Sequence, residues 1–294
     1  MTEWMQTLPF RAAVLAAALA FVPAAPVLAQ RSSTPESFAD LAAELTPAVV
    51  NISTSQKLPE RNAQRPEMPQ LPPGSPFEEY FREFFDRQGP QNRGPRRVSS
   101  LGSGFIIDAG KGYVVTNNHV IADADEIKVI LSDNTVLEAK IVGKDDKLDL
   151  AVLQVPTDSG KLKAVKFGNS DQMRVGDWVL AIGNPFGLGG TVTAGIISAR
   201  ERNINAGPYD EFLQTDASIN RGNSGGPMFN TKGEVIGINT AIYSPSGGSV
   251  GIGFAIPSAS AQPVISQLIE FGRTKRGWMG VRIQGISEDV AKSL

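Results

Sequence analysis

The sequence predicts an all-β fold made of two antiparallel β-barrels. From Val98 onward, short segments rich in β-branched and aromatic residues alternate with turn residues, a spacing that is typical of barrels. Strands and helices do not alternate along this stretch, so the pattern does not indicate a parallel α/β sheet. The strand pattern divides near Thr157–Ala164 into two similar halves, and we expect one barrel in each half.

The elements before the barrels are predicted from composition. Residues 1–29 have the pattern of a signal peptide, in which Arg11 precedes an apolar run and Val27-Leu28-Ala29 forms a cleavage site. An uncleaved anchor is the alternative. Residues 35–47 predict a short amphipathic helix, whose apolar face comprises Phe38, Leu41, Ala42 and Leu45.

Residues 57–97 are expected to loop out of the first barrel. Eight of the 20 prolines lie there, and proline is not tolerated inside a sheet. Within this loop, Phe77, Tyr80, Phe81, Phe84 and Phe85 share one helical face. This aromatic face either packs on its own domain or docks onto another subunit, and we favour docking.

The strands and the last helix are predicted from period and turn residues. Asp133-Asn134 and Lys232-Gly233 indicate hairpins, and Ser258–Phe271 predicts a helix with Val264, Leu268 and Phe271 on one face and Gly272 at its end. The predicted strands are Ala48–Ile52, Gly104–Ile107, Tyr113–Thr116, Ile127–Leu131, Val136–Val142, Leu150–Val155, Trp178–Ile182, Thr191–Ala199, Phe212–Gln214, Val235–Asn239 and Gly251–Ile256.

Three segments carry the chemistry of a nucleophilic serine. Ser224 lies between glycines in Gly222-Asn223-Ser224-Gly225-Gly226, where the backbone can turn sharply and the amides of Gly222 and Ser224 can point at one oxyanion. His119 is the single histidine, so it alone can supply an imidazole base. Asp149 begins an apolar strand, where a carboxylate needs a partner.

The order of these residues along the chain excludes two other enzyme classes. Histidine, aspartate and serine follow one another as in chymotrypsin-type triads. An α/β-hydrolase needs its histidine after the serine, and no histidine follows Ser224. The order in subtilisin-type enzymes would discard Asp149.

The same segments resemble the HtrA (Do-like, DegP-type) serine proteases over about Val98–Gly285. The resemblance is carried by Thr116–Val120, Asp149–Leu153, Ala181–Gly187, Gly222–Pro227 and Gly251–Pro257. It implies a chymotrypsin/trypsin-like double barrel over residues 30–272, with short terminal helices. It also implies that residues 273–294 are the start of a truncated PDZ domain.

The resemblance implies a periplasmic serine endopeptidase that degrades unfolded polypeptides through His119, Asp149 and Ser224. The oxyanion hole would comprise Gly222, Asn223 and Ser224, and Thr240 would support Asp149. A trimer-based homo-oligomer would form through the N-terminal segment and the 57–97 loop. The alternative function is a chaperone or holdase that binds unfolded chains with little proteolysis.

The resemblance also bounds specificity and regulation. Ser218 stands at the pocket-base position and is not acidic, which argues against basic side chains and predicts cleavage after Val, Ile or Ala. The predicted pocket comprises Ser218, Ile219, Thr240, Ala241, Ile242 and Tyr243. Arg202 lies in a predicted regulatory loop, Glu201–Asp210, and Tyr243–Val250 is a second such loop.

Composition restricts the cofactors and partners. The chain has no cysteine, which excludes disulfides, thiol catalysis and thiolate metal sites. With one histidine, we expect no metal and no cofactor. The net charge of −2 gives no reason to expect nucleic acid, and membrane association is compatible with the sequence but not required.

Overall fold

The computed structural model describes residues 35–57, 97–158, 160–183, 190–205, 207, 209–220, 222–245, 248–277, 280 and 291–292. The predicted signal peptide, the aromatic helix and most of the predicted PDZ start lie outside these residues. The chain forms two units, Met1–Ser37 and Phe38–Leu294, and the first is described only at residues 35–37.

The described residues contain three α-helices and thirteen strands. The helices are α1 (Ala39–Leu45), α2 (Asn118–Ile121) and α3 (Ser258–Phe271). The strands are β1 (Val49–Lys57), β2 (Arg97–Asp108), β3 (Tyr113–Asn117), β4 (Glu126–Ile130), β5 (Val136–Glu138), β6 (Lys140–Asp145), β7 (Leu150–Gln154), β8 (Trp178–Gly183), β9 (Thr191–Arg202), β10 (Phe212–Thr215), β11 (Pro227–Asn230), β12 (Val235–Ile242) and β13 (Gly253–Pro257).

These strands form two antiparallel sheets, as the sequence predicts. The first sheet has the order β5-β4-β1-β2-β3-β7-β6, and the second is a closed barrel of order β10-β13-β12-β11-β8-β9. The first sheet ends at β5 and β6, which are consecutive along the chain and separated only by Ala139. No ladder joins β5 to β6 among the described residues, so the first sheet is a half-barrel, whereas the second closes into the predicted barrel.

Several elements differ from the prediction: β1 and β2 are longer than predicted, α2 and β11 were not predicted, and one predicted strand is divided. The single strand predicted over Val136–Val142 is divided at Ala139, because its two parts pair with different neighbours, β4 and β7. Strand β11 was not predicted, since it is short and begins with Pro227. A proline is tolerated at the first position of a strand. Both predicted hairpin turns are present, with positive φ at Asn134 and Gly233.

Among the described residues, the core has one cluster that both sheets share, one that belongs to the first sheet and two that belong to the closed barrel. The shared cluster joins residues of the first sheet, such as Phe105 and Leu150, to residues of the second, such as Leu180 and Phe229. The largest separate clusters belong to the first sheet and to the closed barrel. Burial of the shared cluster fixes the two sheets against each other.

Both terminal helices pack onto this shared cluster. In α1, Leu45 is buried and Leu41 is partly buried, and the preceding Phe38 packs its ring on Trp178 at 5.8 Å. In α3, the buried face comprises Ala261, Ile265 and Leu268, and Gly272 ends the helix in the left-handed conformation.

One residue predicted on the buried face of α3 lies elsewhere. Phe271 is 41 % exposed, because it lies off the face formed by Ala261, Ile265 and Leu268, and Lys275 Nζ lies over its ring, 3.1 Å from the centroid. Among the described residues, none of the helices combines the length and apolar character that a membrane crossing requires.

Candidate active site

Asp149 lies in the turn between β6 and β7 and adopts a left-handed backbone conformation, with φ of 54°. This conformation is costly for a residue with a side chain and persists only where surrounding contacts hold it. The Asp149 carbonyl oxygen accepts hydrogen bonds from the backbone amide of Asn118 at 3.1 Å and from Asn117 Nδ2 at 2.8 Å. These bonds fix the turn and aim the carboxylate at α2.

His119 lies in α2, directly after the end of β3, and both oxygens of the Asp149 carboxylate bond to it. Asp149 Oδ2 lies 2.6 Å from the ring Nδ1, and Asp149 Oδ1 accepts from the His119 backbone amide at 2.8 Å. Two contacts to one residue fix both the position and the tilt of the imidazole. The ring proton on Nδ1 points at the carboxylate, so Nε2 is the acceptor nitrogen.

Ser224 lies in a turn of unusual backbone geometry between β10 and β11. The Asn223 amide donates to the Asn220 carbonyl oxygen at 3.1 Å, and φ of 94° at Gly222 excludes a type I turn there. Gly225 has φ of 82°, and a Cβ atom on it would lie 2.3 Å from the Ser103 carbonyl oxygen. Only glycine fits that position.

The first sheet holds this turn through Ser103, a buried residue of β2. Ser103 Oγ donates to the Gly222 carbonyl oxygen at 2.6 Å, and its amide donates to the Ser224 carbonyl oxygen at 2.9 Å. Thr116 Oγ1 in β3 donates to the Ser103 carbonyl oxygen at 2.7 Å. The position of Ser224 therefore depends on contacts across the two sheets.

Two amides of this turn are available to a ligand oxygen. Neither the Gly222 nor the Ser224 amide donates a hydrogen bond to another described residue. The Asn223 amide closes the turn, and its side chain is buried with Nδ2 3.5 Å from the Ser218 carbonyl oxygen. Of the three predicted oxyanion residues, Asn223 shapes the turn, whereas Gly222 and Ser224 have amides to offer.

Thr240 connects the two halves of the site. The Ser224 hydroxyl lies 3.4 Å from the Thr240 carbonyl oxygen, which is a long hydrogen bond. The Thr240 hydroxyl donates to the Ile238 carbonyl oxygen at 2.9 Å and accepts from Asn117 Nδ2 at 3.2 Å. Thr240 thus supports Asp149 through Asn117, not by the direct contact that the sequence suggested.

The predicted pocket residues fall into two groups. Ile219 and Ile242 are each 1 % exposed and belong to the core of the closed barrel, whereas Ala241 is buried in a separate small cluster with Phe254, and Thr240 is also buried. Ser218 and Tyr243 lie at the surface.

Arg202, predicted as a regulatory residue, ends β9. Its Nε donates to Gln214 Oε1 in β10 at 3.0 Å, a contact at the protein surface. The described hydrogen bonds of Arg202 do not include a bond to His119, Asp149 or Ser224.

A cavity of about 290 Å³ lies beside Asp149. Its walls include the turn that carries Asp149, the loop between β9 and β10 and the start of α3, with Leu148, Tyr209, Phe212 and Pro257 among the lining residues. Most of its surface is apolar. The loop that the sequence singled out as regulatory therefore forms a wall next to the carboxylate.

Sequence reasoning missed two residues that organise the site, Ser103 and Asn117. Both are fully buried, although neither type is usually found in a core. Asn117 keeps this position although its Oδ1 has no partner among the described residues, an arrangement that costs stability. Each lies one position outside a predicted strand, Ser103 before Gly104–Ile107 and Asn117 after Tyr113–Thr116, so the predicted strands gave no signal of their burial.

The fold and this arrangement of residues define a trypsin-like peptidase. A family model described as "Trypsin-like peptidase domain" matches residues 102–238. The chain is 51 % identical over 276 residues to a "Probable periplasmic serine endoprotease DegP-like" of Brucella suis biovar 1 (strain 1330), covering 87 % of this chain and 54 % of that protein. A protein of the same description from Rhizobium meliloti (strain 1021) is 55 % identical over 235 residues, covering 76 % of this chain and 46 % of that protein.

Solved structures agree with these relatives. The structure titled "HtrA-type protease AlgW with tripeptide" superimposes with a TM-score of 0.70 at 42 % identity, covering 87 % of this chain and 71 % of that one. The chain therefore belongs to the HtrA-type, DegP-like family of serine proteases. It spans about half the length of the curated relatives that it matches.

Proposed function

We propose that this chain is the proteolytic part of a periplasmic serine endopeptidase in which Ser224, His119 and Asp149 act as a catalytic triad. The observation that carries the proposal is the double contact of the Asp149 carboxylate with the backbone amide and ring Nδ1 of His119. It holds the imidazole in the tautomer whose Nε2 can take a proton from Ser224. Ser224 then attacks the peptide carbonyl, and His119 returns the proton to the leaving amine.

The negative charge that develops in this reaction needs donors in fixed positions. We propose the amides of Gly222 and Ser224 for this role, since neither is engaged within the described residues. The geometry that presents them depends on the positive φ of Gly222 and on the hydrogen bond from Ser103. Asn223 contributes by closing the turn.

We propose that the substrate is an unfolded polypeptide bound as an added strand against Thr240–Ser244. Within the described residues, β12 pairs with β13 there, whereas its other neighbour, β11, pairs only as far as Ile238. An extended peptide can use the open edge. The structure titled "HtrA-type protease AlgW with tripeptide" contains a peptide, and we extend peptide binding, without its site, to this chain.

We propose a preference for small aliphatic side chains at the cleaved position. The floor near Ile219 and Ile242 is apolar and nearly filled, which favours Ala, Val or Ile over long side chains. Ser218 offers no charge to a lysine or arginine. Cleavage of a peptide library that occurred mainly after basic residues would contradict this preference.

Location and assembly complete the proposal. The named relatives are periplasmic, which accords with export through residues 1–29. We further propose a trimer-based homo-oligomer formed through the N-terminal segment and residues 57–97. The number of subunits is measured from the mass of the exported protein in solution and compared with that of a variant lacking residues 57–97. The same number of subunits in both would contradict the proposal.

The triad is tested with a fluorophosphonate probe and a casein cleavage assay on the full chain. The parent is expected to be labelled once and to cleave casein. Ser224→Ala is expected to lose the label, and its turnover should fall about 10⁴-fold or more. Ser132→Ala, at an exposed serine of the β4–β5 hairpin, serves as the matched control and keeps both. A parent that suppresses aggregation but neither cleaves nor labels would instead support the holdase function.

A further inference from the structure

Ser103 of β2 is fully buried, and its amide, hydroxyl and carbonyl all bond to residues outside the neighbouring strand β1. The hydroxyl donates to the Gly222 carbonyl oxygen at 2.6 Å, and the amide donates to the Ser224 carbonyl oxygen at 2.9 Å. The Ser103 carbonyl oxygen accepts from Thr116 Oγ1 at 2.7 Å. One residue of the first sheet therefore holds the carbonyls of both residues whose amides are the proposed oxyanion donors.

The hydrogen bond from the Ser103 hydroxyl fixes the peptide plane that follows the Gly222 amide. This plane joins Gly222 to Asn223, and its N–H donates to the Asn220 carbonyl oxygen at 3.1 Å. With a partner at each end, the plane has a defined orientation. The Gly222 amide is attached to this plane through one Cα atom, whose φ of 94° is a conformation that favours glycine.

The hydrogen bond from the Ser103 amide fixes the peptide plane that follows Ser224. This plane joins Ser224 to Gly225, and its N–H donates to the Asn239 carbonyl oxygen at 2.8 Å. The Ser224 amide belongs to the plane between the two that Ser103 holds. Ser103 therefore restrains the backbone on both sides of that amide.

Strand β2 also lies directly against the helix that carries His119. A Cβ atom on Gly102 would lie 2.5 Å from Cγ1 of Val120, the residue after His119. Thr116, which donates to the Ser103 carbonyl oxygen, ends the stretch of β3 that leads into the same helix. Ser103 thus fixes the two oxyanion donors relative to the residue that is proposed to move the proton.

We propose that Ser103 is a positioning residue for the oxyanion hole, acting through the carbonyls of Gly222 and Ser224. The inference rests on the role proposed for the amides of these two residues. Negative charge develops on the substrate oxygen only as the reaction proceeds, so donors held in place stabilise the transition state more than the bound substrate.

Loss of the Ser103 hydroxyl would release the first of these peptide planes. Gly222 is buried, and a buried carbonyl without a donor is costly. The plane therefore rotates until its carbonyl finds another partner, and the Gly222 amide turns away from the oxyanion. The acid–base pair is unaffected, because its contacts lie within the first sheet.

The test compares Ser103→Ala with Ser170→Ala in the full chain. Ser170 is the matched control, because it is also buried and its hydroxyl accepts from the Ala259 amide of α3 at 3.0 Å. Both variants should lower the melting temperature, since each leaves a buried backbone group without its partner. Only Ser103→Ala should lower kcat for a peptide substrate, about 10- to 100-fold, with KM changed less than about twofold.

Two further measurements separate a positioning role from a structural one. A peptide aldehyde ending in valine forms a hemiacetal with the nucleophilic serine, and the oxygen of this adduct needs the same donors as the reaction. Its Ki should rise by about the factor by which kcat/KM falls. The acidic limb of the kcat/KM profile should stay at the same pH, because His119 and Asp149 keep their contacts.

Thr116→Val keeps the proposal falsifiable if Ser103→Ala is poorly folded. Valine keeps the shape of threonine but removes the donor to the Ser103 carbonyl oxygen, so Ser103 is held less firmly. We expect a smaller fall in kcat, a rise in the aldehyde Ki in proportion and no shift of the acidic limb.

A lower melting temperature with unchanged kcat and an unchanged aldehyde Ki would overturn the proposal and leave Ser103 as a packing residue. A shifted acidic limb would also overturn it, since the effect would then act on His119. Failure of the proposed function is recognised separately, because the parent would then not be labelled by the fluorophosphonate.

Discussion

The turn that carries Asp149 and the turn that carries Ser224 both use left-handed backbone, but they hold it by different means. Asp149 has φ of 54° without the freedom of glycine, and it is secured by neighbours in its own sheet. The Ser224 turn uses two glycines and is secured by Ser103, which belongs to the other sheet.

This difference separates a preassembled part of the site, the acid–base pair, from a conditional part, the Ser224 turn, whose position depends on contacts between the two sheets. The acid and base are joined by two short contacts inside the first sheet. The Ser224 hydroxyl has only a long contact to the Thr240 carbonyl oxygen. The Ser224 turn keeps its position only while Ser103 of the first sheet stays hydrogen-bonded to it. We infer that substrate binding has more influence on the nucleophile turn than on the acid–base pair.

The largest effect is expected from breaking the preassembled pair. Asp149→Asn should lower kcat about 10⁴-fold, because an amide at this position favours the wrong tautomer of His119. Folding should be preserved, since the side chain keeps its size. Peptide hydrolysis and circular dichroism measure the two properties. Asp133→Asn, at an exposed carboxylate bonded to Lys161, is the control, and an equal loss there would contradict the assignment.

Breaking the conditional turn should cost both activity and stability. Gly225→Ala places a Cβ 2.3 Å from the Ser103 carbonyl oxygen in addition to the strain of positive φ, a loss of about 3 kcal/mol or more. Activity should fall by more than about 10²-fold because Ser224 is displaced. Gly176→Ala isolates the strain, since Gly176 has φ of 95° and nothing within 4 Å. Urea unfolding and kinetics that ranked the two variants equally would refute the steric account.

Asn117 joins the two parts, and its loss should have an intermediate effect. Asn117→Ala removes the donor to the Asp149 carbonyl oxygen and to the Thr240 hydroxyl, so we expect kcat to fall about 10- to 100-fold. For Asn118→Ala the fall in kcat should be at least tenfold smaller, because the Asn118 side chain bonds to the exposed Asp146. Steady-state kinetics of both variants provides the comparison, and the reverse ranking would show that Asn117 is only a packing residue.

The smallest effect is expected from lowering the pH, which protonates Asp145 beside the Asp149 turn and does not act directly on the Ser224 turn. Burial raises the pKa of the Asp145 carboxyl, but hydrogen bonds from Arg276 and the Leu148 amide outweigh burial and lower it below its usual value. The Asp145–Arg276 ion pair therefore stabilises the fold above the ordinary carboxyl range, and this stabilisation is lost as the pH falls below that range. At neutral pH, Asp145→Asn should lose about 1–3 kcal/mol, and the loss should shrink in acid. Urea unfolding between pH 7 and pH 3 measures this. A loss that stayed constant would show that charge is not involved.

Much of the fold could be predicted because strand period and turn residues are local signals. The bounds of α3, the two hairpins and the division into two sheets follow from residues within a few positions of each other. The break of the predicted strand at Ala139 could not be predicted, because it depends on which distant neighbours β5 and β6 pair with.

The candidate triad could be predicted because one histidine and one chain order left few alternatives. The residues that hold the candidate site in place could not be predicted from the sequence. The hydrogen bond of Ser103 to Gly222 spans 119 residues of sequence, and that of Arg276 to Asp145 spans 131. Nothing in the local sequence indicates that a serine between glycines or an arginine after a helix has such a distant partner.

The apolar cluster that both sheets share has a practical consequence for dividing the protein. If the chain were cut within Thr157–Ala164, each fragment would expose its own half of that cluster, for example Phe105 and Leu150 on one side and Leu180 and Phe229 on the other. Neither fragment could fold alone with that surface in water. We expect the hydrolysis proposed for this chain to return only when the two fragments recombine and bury the shared cluster again.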